Sequence, residues 1–132
     1  MDNIQIQSTS TADKFITENK IREFTTIVDE PIDKGGLNTA PTPLELLGAS
    51  LASCTIITLQ MYFNHKGWDY ENVEVDVDID RSIKPIVFKR SIRVKGTFDE
   101  KQAQRIISIA NACPVHKILE HGNEIVTNVH MI

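Results

Sequence analysis

The sequence predicts an α+β fold, because strand-like and helix-like patterns fall into separate blocks along the chain. Short segments of partly alternating polarity at residues 3–8, 13–19 and 22–29 predict a small antiparallel N-terminal sheet. A long apolar helical segment follows, and a second group of strands and helices completes the chain. We expect one domain over residues 1–132, with the element order β-β-β-α-β-β-α-α-β.

The long central helix has clear start and stop signals. Two prolines and a glycine pair make residues 29–41 a loop. Thr42 and Glu45 then form a capping box, with Pro43 at the first helical position. The helix is predicted to run to about Lys66, with Gly67 as its stop. It is roughly 35 Å long, and its apolar surface wraps around it, so it must be covered on more than one side.

The remaining elements follow from alternation and helix breaks. Valine and isoleucine alternate with acidic residues over 72–80, which predicts a half-buried strand with an acidic outer face. Residues 84–97 are expected to pair with this strand and to bring basic residues opposite the acids. A helix over 99–112 is predicted, then a short helix that begins at Cys113 and ends near Gly122. Residues 123–130 are predicted to form a last strand.

Composition and charge exclude several classes of protein. The 132 residues carry a formal charge of −4, and no basic run occurs, so we do not expect a nucleic-acid partner. The N-terminus lacks the basic and apolar regions of a secretory signal, which indicates a cytoplasmic protein. The apolar segment 46–63 approaches transmembrane length, but its serine, threonine and glutamine side chains favour a buried core helix. No membrane association is expected.

The two cysteines are the strongest functional signal. Cys54 lies in the apolar helix, where its thiol is expected to be shielded from water. Cys113 precedes Pro114 and would be the N-cap of the short helix, whose dipole favours a thiolate. One buried and one electrostatically primed sulfur suit a two-cysteine redox centre, and a disulfide in a reducing compartment is usually transient. The alternative is that these cysteines are small apolar filler, the commonest role of free cysteine.

Two motifs resemble the OsmC/Ohr family of osmotically inducible and organic-hydroperoxide-resistance proteins. They are Gly35-Gly with Ala40-Pro-Thr-Pro-Leu-Glu-Leu-Leu-Gly-Ala-Ser-Leu-Ala-Ser-Cys54-Thr, and Ala112-Cys113-Pro-Val-His. The order of elements between the motifs also fits, so that the resemblance covers nearly the whole chain. Residues 62–68 and 29–31 look most like a less characterised OsmC-like branch.

The resemblance implies an intertwined homodimer with thiol peroxidase activity and no metal or organic cofactor. Cys54 would be the peroxidatic cysteine, and Cys113 the resolving cysteine that reacts with its sulfenic acid. Packing of the long helices at the dimer interface would cover their apolar surface. The apolar setting of Cys54 would suit an organic hydroperoxide, and an unknown dithiol would reduce the disulfide.

One position departs from the family pattern. Peroxidase members carry a glutamate where this chain has Leu44, and an arginine from an N-terminal loop. Glu45 lies opposite Cys54 on the helix, so its expected role is the cap. Glu30, or its neighbour Asp29, could replace the missing acid, and Arg22 is the nearest upstream arginine. His116 could form a hydrogen bond near Cys113 or lie at the surface.

Two alternative functions remain open at this point. The chain could be a non-catalytic binding protein that holds a small apolar ligand in the dimer-interface cavity, which the missing glutamate favours. It could instead bind a metal through Cys54, Cys113 and His116, although it lacks the closely spaced ligand pairs of zinc sites.

Overall fold

The computed structural model describes residues 3–132, which form two compact units. The first unit extends to Leu47 and the second runs from Gly48 to Ile132. The described residues contain small antiparallel sheets and three α-helices, so the predicted α+β class is confirmed. The expectation of a single domain over 1–132 stays a prediction.

The first unit begins with the predicted N-terminal sheet. Its strands are β1 (Gln7–Ser10), β2 (Thr17–Ile21) and β3 (Phe24–Val28), and they are antiparallel in that order. Ile21 pairs with Phe24, which leaves Arg22 and Glu23 as a two-residue hairpin loop. Arg22 occupies the first loop position with a φ of 55°.

The loop after β3 is organised around one buried carboxylate. Asp29 is 1% exposed and accepts hydrogen bonds from the backbone N–H of Glu30 at 2.7 Å, and from the N–H and hydroxyl of Thr39 at 3.0 and 2.8 Å. These bonds, above all that from the Thr39 N–H, hold the pKa of Asp29 below its ordinary value. The loop was expected to lack regular structure, but it includes one 3₁₀ turn at Ile32–Lys34.

The long helix, α1 (Pro43–Lys66), has the limits that the sequence predicts. Thr42 and Glu45 bond each other's backbone N–H at 3.1 and 2.8 Å, which confirms the capping box. Gly67 follows with a φ of 69°, a conformation that suits glycine after a helix. By length and composition alone α1 could cross a membrane, a property that it shares with the core helices of soluble proteins.

Only one face of α1 is buried within the described chain. The buried positions recur every three or four residues: Gly48, Leu51, Thr55, Leu59 and Phe63. Leu59 and Phe63 form the core of the second unit together with Val73 and Ile106. Other apolar side chains of the helix remain exposed, among them Ile57 at 51% and Met61 at 67%.

The second unit adds the hairpin of β4 (Asn72–Asp80) and β5 (Val87–Lys95). Its outer face carries the predicted charge pairs: Arg93 lies 3.1 Å from Glu74 and 2.9 Å from Asp76, and Lys89 lies 3.5 Å from Asp80. Such exposed pairs contribute little stability, about 0–1 kcal/mol each. The inner face pairs apolar residues across the strands, with one exception that belongs to the candidate site.

Two helices follow the hairpin, as the sequence predicts. Helix α2 (Glu100–Asn111) starts with a capping box between Asp99 and Gln102. Helix α3 (Pro114–Glu120) starts after Cys113, which is its N-cap. The chain therefore breaks between the two helices at the predicted Cys113-Pro114 step.

The predicted last strand is wrong. Residues 123–130 form no strand, and Ile125, Val126 and Val129 are 75–88% exposed. A strand needs a neighbour that satisfies its backbone hydrogen bonds, and no described strand pairs with this segment. The alternating polarity of residues 123–130 indicates an extended conformation, but it does not show whether a neighbouring strand is present to pair with them.

The tight loop around Asp29 predicts that Gly36 tolerates no side chain. A Cβ atom at this position would lie 2.0 Å from the carbonyl oxygen of Glu30, where no contact of that kind is possible. We expect Gly36→Ala to lower the free energy of unfolding by more than about 1 kcal/mol. Gly122→Ala, where nothing lies within 4 Å, is the matched control and should change it by less than about 0.5 kcal/mol. Equal urea midpoints for the two variants would contradict this account of the loop.

Candidate active site

The two cysteines come from different elements and meet at the start of α3. Cys54 lies midway along α1 and is partly exposed, whereas Cys113 is 0% exposed. Both thiols are free, and they lie within hydrogen-bonding reach of each other. The sequence pattern predicts that Cys54 is the buried sulfur. In the structure Cys113, the N-cap cysteine, is the more deeply buried of the two.

Each sulfur accepts a backbone N–H from the first turn of α3. Cys113 Sγ accepts from the N–H of His116 at 3.3 Å, as an N-cap side chain does. Cys54 Sγ, which arrives from α1, accepts from the N–H of Val115. Two N–H groups that have no partner within the helix are thus satisfied by sulfur.

The surroundings of Cys54 act on its thiol in opposite directions. Partial burial raises the pKa of Cys54 most strongly, and the adjacent Cys113 sulfur raises it further. The hydrogen bonds from the Val115 N–H and the Thr58 side chain lower it. The net pKa lies above the ordinary value, so the thiol form dominates at neutral pH and ionisation needs further help.

Arg90 brings a positive charge to the buried side of this site. It lies on β5 opposite Val77, on the inner face of the hairpin. Its guanidinium donates to Thr55 Oγ1 at 3.1 Å on α1 and to Asn111 Oδ1 at 2.8 Å on α2. It also lies 3.0 Å from Nδ1 of His116 on α3. One side chain thus contacts all three helices.

These contacts define the tautomer of the His116 ring. Arginine only donates, so His116 Nδ1 must accept and the ring proton is on Nε2. Nε2 then donates to Glu120 Oε2 at 3.1 Å, and this bond holds the pKa of Glu120 below its ordinary value. The predicted proximity of His116 to Cys113 is real, but the hydrogen bond to sulfur comes from its backbone and not from its ring.

The alternative metal site has no matching geometry in the part of the chain that the structure describes. Within residues 3–132, no group of three histidine, cysteine or acidic side chains converges as metal ligands do. Both ring nitrogens of His116 are occupied by Arg90 and Glu120, while the two sulfurs contact each other.

The two predicted supporting residues of the N-terminal region belong to the first unit. Arg22 is exposed at the β2–β3 turn, with its guanidinium 5.0 Å from the centre of the Phe24 ring and 3.9 Å from Glu23. Glu30 follows Asp29 in the loop, and its backbone carbonyl accepts from the N–H of Asn38. Their suggested roles in activating Cys54 stay predictions.

The sequence interpretation missed Arg90, although its position carried a signal. The sequence pattern predicts that basic residues of 84–97 lie opposite the acids of 72–80, and it does not distinguish Arg90 from the others. Lys89 and Arg93 are there, but Arg90 has the opposite parity and falls among residues that face the core. A charged residue on the apolar face of a strand is a candidate functional residue, because it needs polar partners inside. Thr55 and Asn111, which supply them, had no comparable signal.

Comparison with known proteins matches the chain to one family. The family model described as OsmC-like protein matches residues 35–128, which include both cysteines. No curated protein matches the chain. Among solved structures, an OsmC-like protein from Mycoplasma pneumoniae is similar with a TM-score of 0.72 and 20% identity, over 91% of this chain and 89% of that one.

Two further solved structures share the fold. A Psychrobacter arcticus protein assigned to the osmotic-stress and detoxification response has a TM-score of 0.72 and 24% identity, over 89% of this chain and 87% of that one. An organic hydroperoxide resistance protein from Legionella pneumophila has a TM-score of 0.61 and 17% identity, over 89% and 88%. At these identities the likeness concerns the fold, and the family model carries the assignment: the chain belongs to the OsmC-like protein family.

Proposed function

We propose that this protein reduces organic hydroperoxides in oxidative-stress defence, with Cys54 as the peroxidatic and Cys113 as the resolving cysteine. The observation that carries the proposal is the contact between two free thiols from separate elements. Family membership and a structural neighbour named for organic hydroperoxide resistance support a role in stress defence. The two thiols and the absence of basic runs are consistent with a cytoplasmic protein that has no nucleic-acid partner.

The exposure of the sulfurs supports this division of roles. Cys54 retains exposed surface, so a substrate can reach it, whereas Cys113 is fully buried behind it. The Cys54 thiolate attacks the terminal oxygen of ROOH, the O–O bond breaks, and RO⁻ takes up a proton to leave as ROH. Cys54 becomes a sulfenic acid. The Val115 N–H stabilises the negative charge on the attacking sulfur.

The second step joins the two sulfurs. The Cys113 thiolate attacks the sulfur of the Cys54 sulfenic acid, a disulfide forms, and hydroxide leaves and is protonated to water. An external dithiol then reduces the disulfide and is itself oxidised. Because the two thiols already interact with each other in the reduced protein, we expect disulfide formation to need no rearrangement of the fold.

An apolar surface beside Cys54 supports an organic substrate and a homodimer. Ile57 and Met61 follow Cys54 by three and seven residues, share its side of α1 and are exposed. The C-terminal residues Ile125, Val126 and Val129 are exposed as well. A second copy that covers α1 would remove this apolar area from water and enclose Cys54 in an apolar cavity. Such an interface is expected to exceed about 2,000 Å² in total.

A non-catalytic binding protein is the second candidate. Leu44 replaces the glutamate that the resemblance associates with peroxidase members, and the raised pKa of Cys54 disfavours its reactive form. A small apolar ligand in the same cavity would use the same surface without any redox step. A ligand that copurifies with the dimer, together with the absence of peroxide turnover, would favour this function.

Peroxide consumption by cysteine variants tests the proposed enzyme. With cumene hydroperoxide and a dithiol, we expect turnover by the wild type and none by Cys54→Ser, because serine forms no sulfenic acid. Without the dithiol, Cys113→Ser should consume one equivalent of hydroperoxide as Cys54 forms a sulfenic acid and a second as that acid is over-oxidised to sulfinic acid, since no resolving thiol is present. Several dithiols should be compared, since the reductant is unknown. Wild-type protein that consumes no peroxide with any of them, or Cys54→Ser protein that remains active, would contradict the proposal.

Light scattering tests the proposed homodimer. We expect twice the mass of one chain at micromolar concentration, because α1 leaves too much apolar surface exposed for a stable monomer. Ile57→Asp should shift the population to monomer, since it places a charge in the proposed interface. Ile83→Asp is the control: Ile83 is 47% exposed, against 51% for Ile57, but lies in the turn between β4 and β5. A wild-type monomer would overturn the assembly.

A further inference from the structure

Arg90 lies on the inner face of the hairpin and has no carboxylate partner among the described residues. The other arginine of β5, Arg93, faces outward and pairs with Glu74 and Asp76. No ion pair of residues 3–132 involves Arg90, whose guanidinium contacts neutral groups of three helices. Its positive charge is therefore available to a negative charge that forms nearby during a reaction.

We propose that Arg90, acting through Thr55, is the positioning residue that stabilises the Cys113 thiolate in the resolving step. The inference rests on the proposed function and adds a role that belongs to one of its two steps. The connection is a chain of contacts. Arg90 Nη1 donates to Thr55 Oγ1 at 3.1 Å, and Thr55 Oγ1 lies 4.0 Å from Cys113 Sγ, with both Thr55 and Cys113 fully buried.

The positions of the hydrogens decide how Arg90, Thr55 and Cys113 interact. Thr55 has one hydroxyl hydrogen, which it donates to the Leu51 carbonyl at 2.7 Å. While Cys113 is a thiol, its S–H is the hydrogen available to the contact with Thr55 Oγ1. When Cys113 loses this proton, the Thr55 hydroxyl can turn from Leu51 to the sulfur. Arg90 still donates to the same oxygen, so that a charge-assisted chain runs from the guanidinium to the thiolate.

The geometry confines this help to the resolving step. Cys113 needs its negative charge when it attacks the Cys54 sulfenic acid, and hydroxide is the leaving group of that attack. The reaction of Cys54 with the peroxide comes earlier and has its own donors, the Val115 N–H and the Thr58 side chain. Loss of the contacts that link Arg90 through Thr55 to Cys113 should therefore delay disulfide formation and prolong the life of the sulfenic acid.

The test separates the two steps in a single turnover. Reduced protein is mixed with one equivalent of cumene hydroperoxide and dimedone, which traps sulfenic acid, and peroxide loss and products are followed by quenched mass spectrometry. Thr55→Val removes the hydroxyl and Arg90→Gln removes the charge. In both we expect disulfide formation to slow about tenfold or more, the effect of losing a hydrogen bond to a charged group, while peroxide loss continues. The dimedone adduct of Cys54 should then accumulate.

Matched variants distinguish this role from a loss of structure. Thr55→Ser keeps the hydroxyl and should restore disulfide formation. Arg93→Gln is the control for Arg90→Gln, because it changes an arginine of the same strand that lies on the outer face of the hairpin. The comparison of Thr55→Val with Thr55→Ser keeps the test decisive if Arg90→Gln does not fold. Disulfide formation in Thr55→Val as fast as in Thr55→Ser, or equal slowing of peroxide loss and disulfide formation, would overturn the role of Arg90. Wild-type protein that never loses peroxide would instead refute the proposed function.

Discussion

The packing of one face of α1 determines where both sulfurs lie. Leu59 and Phe63 of this face join Val73 of β4 and Ile106 of α2 in the core of the second unit. At the N-terminal end of the same face, a Cβ on Gly48 would lie 3.3 Å from Ile79, so glycine permits the close approach of the hairpin. Burying each large side chain contributes about 1.5–3 kcal/mol, and this apolar contact holds the polar site between the helices.

The site itself combines groups that burial would otherwise disfavour. A half-buried guanidinium and a buried hydroxyl are tolerated because each has hydrogen-bond partners, and no buried polar side-chain atom of the described residues lacks one. Partial burial makes Cys54 a weaker acid, while two N–H groups of α3 contact the sulfur pair. The site thus favours the thiol form of Cys54 at rest and places hydrogen-bond donors beside both sulfurs that act when a thiolate forms.

Local signals in the sequence were sufficient for the start of α1 and for most of the second unit. The capping box at Thr42, the alternation over 72–80 and the Cys113-Pro114 break each specify a boundary through neighbouring residues, and the structure has α1, β4 and α3 at those places. Features that depend on distant partners could not be predicted in this way. The segment 123–130 has a strand pattern without a neighbour.

The relative burial of the two sulfurs and the partners of Arg90 depend on tertiary contacts in the same way. Cys113 is covered because α3 packs near Thr55, which sequence spacing does not encode. The resemblance directed attention to an N-terminal arginine, whereas the cation beside the sulfurs in the second unit comes from β5. Parity along the strand could have identified Arg90, because a strand places alternate residues on opposite faces.

The central claim is that Cys54 and Cys113 form one redox pair, and the intact mass of the protein after oxidation tests it most directly. One equivalent of cumene hydroperoxide is added to the reduced protein, which is then digested without reduction. The account predicts the loss of two hydrogens, the disappearance of both free thiols and a disulfide that links the peptides of Cys54 and Cys113 within one chain. Protein that gains oxygen atoms, keeps a free Cys113 thiol and gives no such linked peptide would contradict it.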